Sequence, residues 1–387
     1  MELAIEASTW INTRGYGRFT REMTRALQAV VSIDRLTLVV DSGAAAATDL
    51  PDLPRVVVPT RRAVVDAATT DGARSPSDLW RMGARLSRFD AVIFPTLYSF
   101  VPLWGRASIA VVVHDALPEA MPALVLGSRR ARWLWLAKSW AACRQADVLA
   151  TVSEASAQEI RRRLPVGDRL LTVLTEGPGH AFSARATPAD ERLIGPWIEP
   201  GSRTILYVGG LSPHKRVADL VRAFGAVAGR DGFDDVRLVL VGAAQEGFAS
   251  ERANVEAAVA SLGVAGTRVR QTGFVPDDTL AAMYRHSSCV VLPSLAEGFG
   301  LPAIEAMASG APLIVSRIPA LEEVCGEAAD YLDDIARLPG QIMALLADDG
   351  RRRALSRAGV ARAAGFSWTV SAQRLLAAIH RTRGTAC

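Results

Sequence analysis

A chain of 387 residues exceeds what one ordinary hydrophobic core organises and predicts two domains. Its 50% hydrophobic and 22% charged residues, without a long block of like charge, exclude a disordered chain. The formal net charge of +4, spread over 44 basic and 40 acidic side chains, leaves no nucleic-acid footprint.

The start, MELAIEAS, lacks the basic and small-residue signals of a leader, and no apolar run reaches membrane-spanning length, so a cytoplasmic protein is expected. The first strand-like run, LAIEA, leads into NTRGYGRFTREMTRAL, residues 12–27, where a helix starts. Gly15 and Gly17 around Tyr16 read as a tight loop, either an ordinary βα turn or a phosphate- or acceptor-facing one; the third glycine of a dinucleotide fingerprint is missing. RLTLVV, RVVVP, DAVIF, ASIAVVV and DVLATV follow. Short runs rich in Val and Ile, with little alternation, suit strands buried on both faces of a parallel sheet, with helices on both sides.

ASIAVVVHDALPEAMP, residues 107–122, places His114 and Asp115 just past the end of such a strand, the edge where open α/β sheets bind ligands. A lone histidine there is also an ordinary structural residue. In RRARWLWLAKSWAACRQAD, residues 129–147, Trp133, Leu136 and Trp140 share one helical face. Such a face reads first as core and second as a surface for a membrane interface. In TVSEASAQEI, residues 151–160, Ser153 is placed to cap the next helix.

Three prolines and two glycines in TPADERLIGPWIEPGS, residues 187–202, mark a linker. The strand rhythm then restarts with TILYVGG, VRLVLVGA, RVRQTG, SCVVLP and PLIVS. The expected domains are 1–190 and 200–365, with a terminal helical segment, 366–387, that either caps the second or crosses back to the first. In YVGGLSPHKRVADLVRAF, residues 207–224, Lys215 is one of only two lysines, the other being Lys138. A compact ammonium near a strand end and a helix start suits a pyrophosphate without a metal; a solvated surface lysine is the plain alternative.

CVVLPSLAEGFGLPAIEAMASGAPLIVS, residues 289–316, runs from a strand through Glu297, Gly298, Phe299 and Gly300 into Leu301 and Pro302, where a helix opens. Strand, glycine loop and helix start together make an anion site, and Glu305, one turn in, is placed to accept from ribose hydroxyls. Cys143, Cys289, Cys325 and Cys387 have neither CxxC spacing nor histidine partners and read as reduced, mostly buried thiols. The absence of any Asp-x-Asp or metal-ligand spacing disfavours metal-held diphosphate, so neither metal nor cofactor is expected.

Embedded in PSLAEGFGLPAIEAMASGAP, Glu297 and Glu305 resemble the Glu-x7-Glu motif of the retaining, nucleotide-sugar-dependent glycosyltransferases of family four. The resemblance implies the GT-B fold, an α/β architecture of two Rossmann-like, doubly wound domains facing across a cleft, with acceptor held by the first and nucleotide by the second. It implies that Lys215 meets the donor diphosphate, that Gly210, Gly298, Phe299, Gly300 and Leu301 line the donor, that Glu297 holds sugar hydroxyls and Glu305 the ribose. It also implies that His114 approaches the transferred sugar and that Gly15, Tyr16 and Gly17 form the phosphate- or acceptor-facing loop. Glu154 after Ser153, and the segment SRIPALEEVCGEAADYL at 316–332, match further family segments near the cleft and the nucleotide. Many relatives carry an arginine just ahead of the lysine, where Gly209 and Gly210 stand here; Arg216 is the nearest candidate for that second cation.

The implied activity is metal-independent hexosyl transfer, with retained anomeric configuration, from a nucleotide-diphosphate sugar to a hydroxyl of a glycan or lipid-linked acceptor. GGLSPHKR, GYGRF and IPALEEV look closest to mannosyl- and rhamnosyltransferase-like members, which favours GDP-mannose or a related deoxyhexose donor. Alternatives are transfer to a small secondary metabolite from UDP-N-acetylglucosamine or another hexosyl donor, a sugar-nucleotide epimerase, and a non-catalytic nucleotide-sugar-binding protein. Peripheral contact at the inner face of the membrane accompanies the lipid-linked reading, and the oligomeric state stays open.

Overall fold

The computed structural model describes the chain except residues 14, 33–34, 62, 64–74, 127, 168, 243–248 and 385–387. It forms two compact units, Met1–Glu176 with the segment from Ser367, and Gly177–Phe366.

The first unit is built on seven strands among the described residues: β1 (Leu3–Glu6), β2 (Leu36–Asp41), β3 (Arg55–Val58), β4 (Ala91–Phe94), β5 (Ser108–Val112), β6 (Val148–Thr151) and β7 (Leu171–Val173). They pair in the order β3-β2-β1-β4-β5-β6-β7, every ladder parallel. Every residue of β1, β4, β5 and β6 is buried, which is why their sequences are apolar but for single end residues, Glu6, Ser108 and Thr151. Each fully buried Val, Leu or Ile contributes about 1.5–3 kcal/mol.

The second unit repeats the plan with β8 (Arg203–Val208), β9 (Val236–Val241), β10 (Val269–Gly273), β11 (Cys289–Leu292), β12 (Leu313–Ser316) and β13 (Asp330–Leu332). Their order is β10-β9-β8-β11-β12-β13, again all parallel. In each Rossmann-like sheet the order reverses at the first strand: β1 lies between β2 and β4, and β8 between β9 and β11. Connections leave such a strand pair in opposite directions and open a crevice at its C-terminal ends.

The boundary between the units differs from the expected one, and of the two places expected for the terminal helix the first unit is the one found. The segment expected as linker, 187–202, is tied into the second unit, which begins at Gly177 rather than near residue 200. Within it the helix Asp190–Ile194 is held by Arg285, whose Nε and Nη2 each donate to Asp190 at 2.7 Å. Arg237 of β9 and Arg270 of β10 both pair with Glu199. These ion pairs reach far along the chain, so local proline and glycine content carries no sign of them. At the other end, the helix Trp368–Gly384 belongs to the first unit. There Ser371 Oγ donates to Thr175 O at 2.6 Å, and Trp368 meets Phe19 edge-on at 5.4 Å.

The helix Arg129–Gln145 departs from the expectation of core. Its buried residues are Ser139, Ala142 and Cys143, whereas Trp133, Leu136 and Trp140 are exposed. The small residues let this helix lie close to the sheet, and the large ones point away from it.

Candidate active site

In the second unit the chain leaves β8 through Gly209 and Gly210. Gly209 takes φ 151°, and its N–H donates to Val241 O at 2.9 Å. Gly242 presses against it so closely that a Cβ there would stand 2.0 Å from Gly209 O. Buried Tyr207 donates its hydroxyl to Gly210 O at 2.9 Å, while the side of Gly210 where a Cβ would stand is open. A short 3-10 turn, Pro213–Lys215, follows, and Arg216 (φ 56°, ψ 37°) caps the helix Val217–Ala228. Arg216 is the one non-glycine residue at positive φ among those described, a conformation costing about 1 kcal/mol or more in a residue with a Cβ.

That turn delivers Lys215 to Glu297. Lys215 Nζ lies 2.5 Å from Glu297 Oε1 and 2.6 Å from Oε2, although the two are 82 residues apart in sequence. They meet because β8 and β11 are neighbours and both loops leave their C-terminal ends. Ser294 Oγ donates to Glu297 Oε1 at 2.7 Å, and Leu295 N–H donates to His214 O at 2.7 Å, tying the two loops together. Burial raises the Glu297 carboxyl, but the Lys215 charge, with hydrogen bonds from Lys215 and Ser294, outweighs it. The group is therefore held below the usual carboxylate range and is ionised at neutral pH.

Gly300, at φ 105°, caps the helix Leu301–Ala308, with Pro302 in its first turn. A Cβ on Gly300 would fall 2.6 Å from Leu321 Cδ2, so glycine is required twice over, by φ and by contact. The cap of this helix thus stands three residues past Glu297, the partner of Lys215. Glu305 is buried on the inner side of that helix, its Oε2 3.5 Å from the Tyr284 hydroxyl.

Two expected donor residues are placed otherwise. Phe299 is buried and packs edge-to-face on Phe366 at 5.8 Å, so its ring anchors the loop and only its backbone can face a ligand. The Arg216 guanidinium is engaged by Asp219, Nε to Oδ2 3.1 Å, and does not join Lys215 and Glu297. In the segment 316–332, Arg317 pairs with Glu322 and Asp333, which makes Glu322 a surface residue.

In the first unit Gly15, Tyr16 and Gly17 lie inside the first turn of the helix Gly15–Val30 and not in a loop ahead of it. A Cβ on Gly17 would stand 1.9 Å from Asn12 O; glycine is there so that the loop after β1 can cross the helix. Gly17→Ala is expected to destabilise the first unit by about 1–3 kcal/mol, read as a lowered midpoint in denaturant; an unchanged midpoint would contradict this contact.

His114 follows β5, with Nε2 2.9 Å from Pro95 O and Nδ1 3.5 Å from Glu176 Oε1. Phe19 and Tyr16 meet its ring edge-on at 4.7 Å and 5.3 Å. The contacts continue from Tyr16 to Tyr98 and from Tyr98 to Trp135, 4.8 Å each. Tyr16, Tyr98, Trp135, His114 and Asp115 line one small open pocket of about 10 Å³. Asp115 Oδ1 accepts from Leu117 N, and Ser153 caps the helix Glu154–Arg163. Trp135 Nε1–H donates to Glu119 Oε1 at 2.6 Å, and burial raises the Glu119 carboxyl. Tyr98, Trp135 and Glu119 were not singled out from the sequence, because they are separated along the chain and share no motif.

Cys143, Cys289 and Cys325 are buried. Desolvation pushes the Cys143 thiol up to about 11 and those of Cys289 and Cys325 up to about 12, so they are not nucleophiles. Cys387 lies outside the described residues. Among those residues, no group of His, Cys, Asp and Glu is arranged to hold a metal ion.

Two Rossmann-like units, one carrying a lysine–glutamate pair beside a glycine loop and helix start, define a doubly wound α/β protein of the two-domain type. The chain belongs to the group 1, family-four glycosyltransferases: residues 13–177 match the family described as Glycosyltransferase Family 4, and residues 202–348 match Glycosyl transferases group 1. It is similar to O-antigen chain mannosyltransferase B of Escherichia coli, 32% identical over 182 residues, covering 44% of this chain and 45% of that one. It is also similar to D-inositol 3-phosphate glycosyltransferase of Nocardia farcinica (strain IFM 10152), 35% identical over 204 residues, covering 51% and 43%. The matched stretch thus spans about half the length of these curated relatives. Among solved structures, Anabaena HepE in complex with UDP-glucose superposes with a TM-score of 0.74 at 19% identity, covering 98% of this chain and 99% of that one. WaaG, a glycosyltransferase involved in lipopolysaccharide biosynthesis, gives 0.74 at 14% identity, covering 96% and 97%. At these identities the two structures bear on the fold alone, which is GT-B. No described helix is long and apolar enough to cross a membrane.

Proposed function

We propose that this protein transfers a hexosyl group from a nucleotide-diphosphate sugar to a hydroxyl of a glycan or lipid-linked acceptor, with retention and without a metal. The observation that carries this reading is the Lys215 ammonium held on both oxygens of Glu297 beside the Gly300 helix start. In the resting protein the carboxylate neutralises the lysine. An arriving diphosphate takes the ammonium instead, and its charge is met by Lys215 and the first turn of Leu301–Ala308. Glu297, released from the lysine but still holding the Ser294 hydroxyl, then accepts from sugar hydroxyls. Glu305, on the same helix, is assigned to the ribose, and Gly210 to close backbone approach. In the first unit Tyr16 and His114 are assigned to sugar and acceptor recognition.

The similarity to an O-antigen mannosyltransferase supports a mannosyl or deoxyhexosyl donor. The inositol-phosphate relatives favour, as a second reading, a small phosphorylated acceptor. A thermal-shift panel of GDP, UDP, dTDP and their sugars separates the donors, since saturation at about a hundredfold above Kd adds about 2.7 kcal/mol of stability. The largest shift is expected with guanine nucleotides. A uridine preference would remove the GDP-mannose reading, and no shift with any member would remove the nucleotide-sugar reading. Epimerised sugar nucleotide formed without an acceptor would move the protein out of the transferases.

A further inference from the structure

The helix Arg129–Gln145 leaves one side uncovered by the described residues. Inward, Ser139, Ala142 and Cys143 are buried and Trp135 turns to Glu119. Outward, Trp133 is 72%, Trp140 56%, Leu134 43% and Leu136 39% exposed. Leu124, in the preceding turn Pro122–Val125, is exposed as well. Single exposed apolar residues are ordinary, but such a group of large ones marks a contact surface.

The charge carried by this stretch is of one sign. Arg129, Arg130, Arg132 and Arg144 are exposed on this helix, and no acidic residue stands between Glu119 and Asp147. With Lys138, this stretch carries more positive charge than the +4 net charge of the whole chain. The Arg144 guanidinium lies 5.8 Å from the Trp140 ring centroid, and Lys138 is turned inward, its Nζ donating to Tyr98 O at 2.6 Å.

We infer that this face docks on the surface of an anionic lipid bilayer. Indole rings are at home at headgroup depth, where the ring meets acyl chain and the N–H stays wet. Arginines around them meet anionic headgroups, while the stems cover apolar surface. A second copy of this chain is a poorer occupant, because face-to-face pairing sets arginine against arginine. The same helix sends Trp135 from its opposite side into the pocket with Tyr98 and His114, so docking holds that pocket one helix width, ~10 Å, from the lipid surface. This last step rests on the proposed transfer to a lipid-linked acceptor.

Co-sedimentation of the intact protein with phosphatidylcholine vesicles, with and without phosphatidylglycerol, tests the docking in the absence of donor and acceptor. Binding is expected with phosphatidylglycerol only, weakening as salt screens the arginines. Trp133→Ser with Trp140→Ser is expected to weaken partition by about 10-fold per ring, and Arg130→Ser with Arg132→Ser by about 5-fold per arginine. Circular dichroism should show both variants folded, since all four side chains are exposed. The inference is overturned by no binding to the anionic vesicles, by equal binding to both vesicle types, or by binding that neither double variant changes. It is equally overturned if light scattering shows a dimer that the tryptophan variant makes monomeric. A protein that binds vesicles but transfers no sugar keeps this inference and loses the proposed function; one that transfers sugar to a soluble acceptor but ignores vesicles does the reverse.

Discussion

Lys215→Ala is expected to lower sugar transfer by about 10²–10³-fold, the usual cost of removing one donor to a developing negative charge. It should also abolish stabilisation by nucleoside diphosphates. Glu297→Gln separates the two halves of the pair. The amide keeps a partner for Ser294 but no longer competes for the Lys215 ammonium, now held at 2.5 Å and 2.6 Å. Nucleotide binding should therefore tighten while transfer falls by a comparable factor. A merely structural ion pair predicts otherwise: both variants would lose stability together, and activity per folded molecule would survive. Wild-type transfer in either variant would remove that residue from the site.

The second large effect lies at the start of the second unit. Arg285 and Asp190 are 7% and 2% exposed and joined by two hydrogen bonds at 2.7 Å, with Thr187 Oγ1 and His286 completing the carboxylate's surroundings. Asp190→Ala leaves a buried guanidinium without its carboxylate and is expected to cost about 3–5 kcal/mol. Adding Arg285→Met should recover part of that loss. The Arg285 hydrogen bonds hold the Asp190 carboxyl well below its ordinary range. Its contribution is accordingly complete above the unfolded-state value of about 3.9 and is lost as pH falls below it. Denaturant titrations from neutral to acid pH should show the wild type losing stability below about pH 4 more steeply than Asp190→Ala; parallel curves would contradict this assignment.

Much of the candidate site was legible because its motifs are local. A strand, Gly298 and Gly300, and Pro302 lie within one short run, and φ and contact requirements at Gly300 are properties that a glycine announces in a sequence. The position of Lys215 after Gly210 was legible for the same reason. The first unit was harder to read. Gly17 was noticed, but its purpose is the approach of Asn12 O, a contact made by a loop folding back over a helix. The Tyr16, Tyr98 and Trp135 rings come from three separate elements, and nothing in their spacing joins them.

The same division explains Trp133 and Trp140. Helical periodicity put them on one face, but whether a face is covered depends on what packs there, and here the small residues Ser139 and Ala142 took the inward side. Likewise the prolines near residue 190 truly mark irregular chain, yet Arg237, Arg270 and Arg285 fasten it to the second unit. By itself the sequence determined the two parallel α/β sheets and the identity of the lysine, the glutamates and the glycine loop, because buried parallel strands and helix starts impose their demands on neighbouring residues. Only the tertiary structure decided that Lys215 meets Glu297, where the second unit begins and which helix face is left to solvent, because each of these is set by packing between elements distant along the chain.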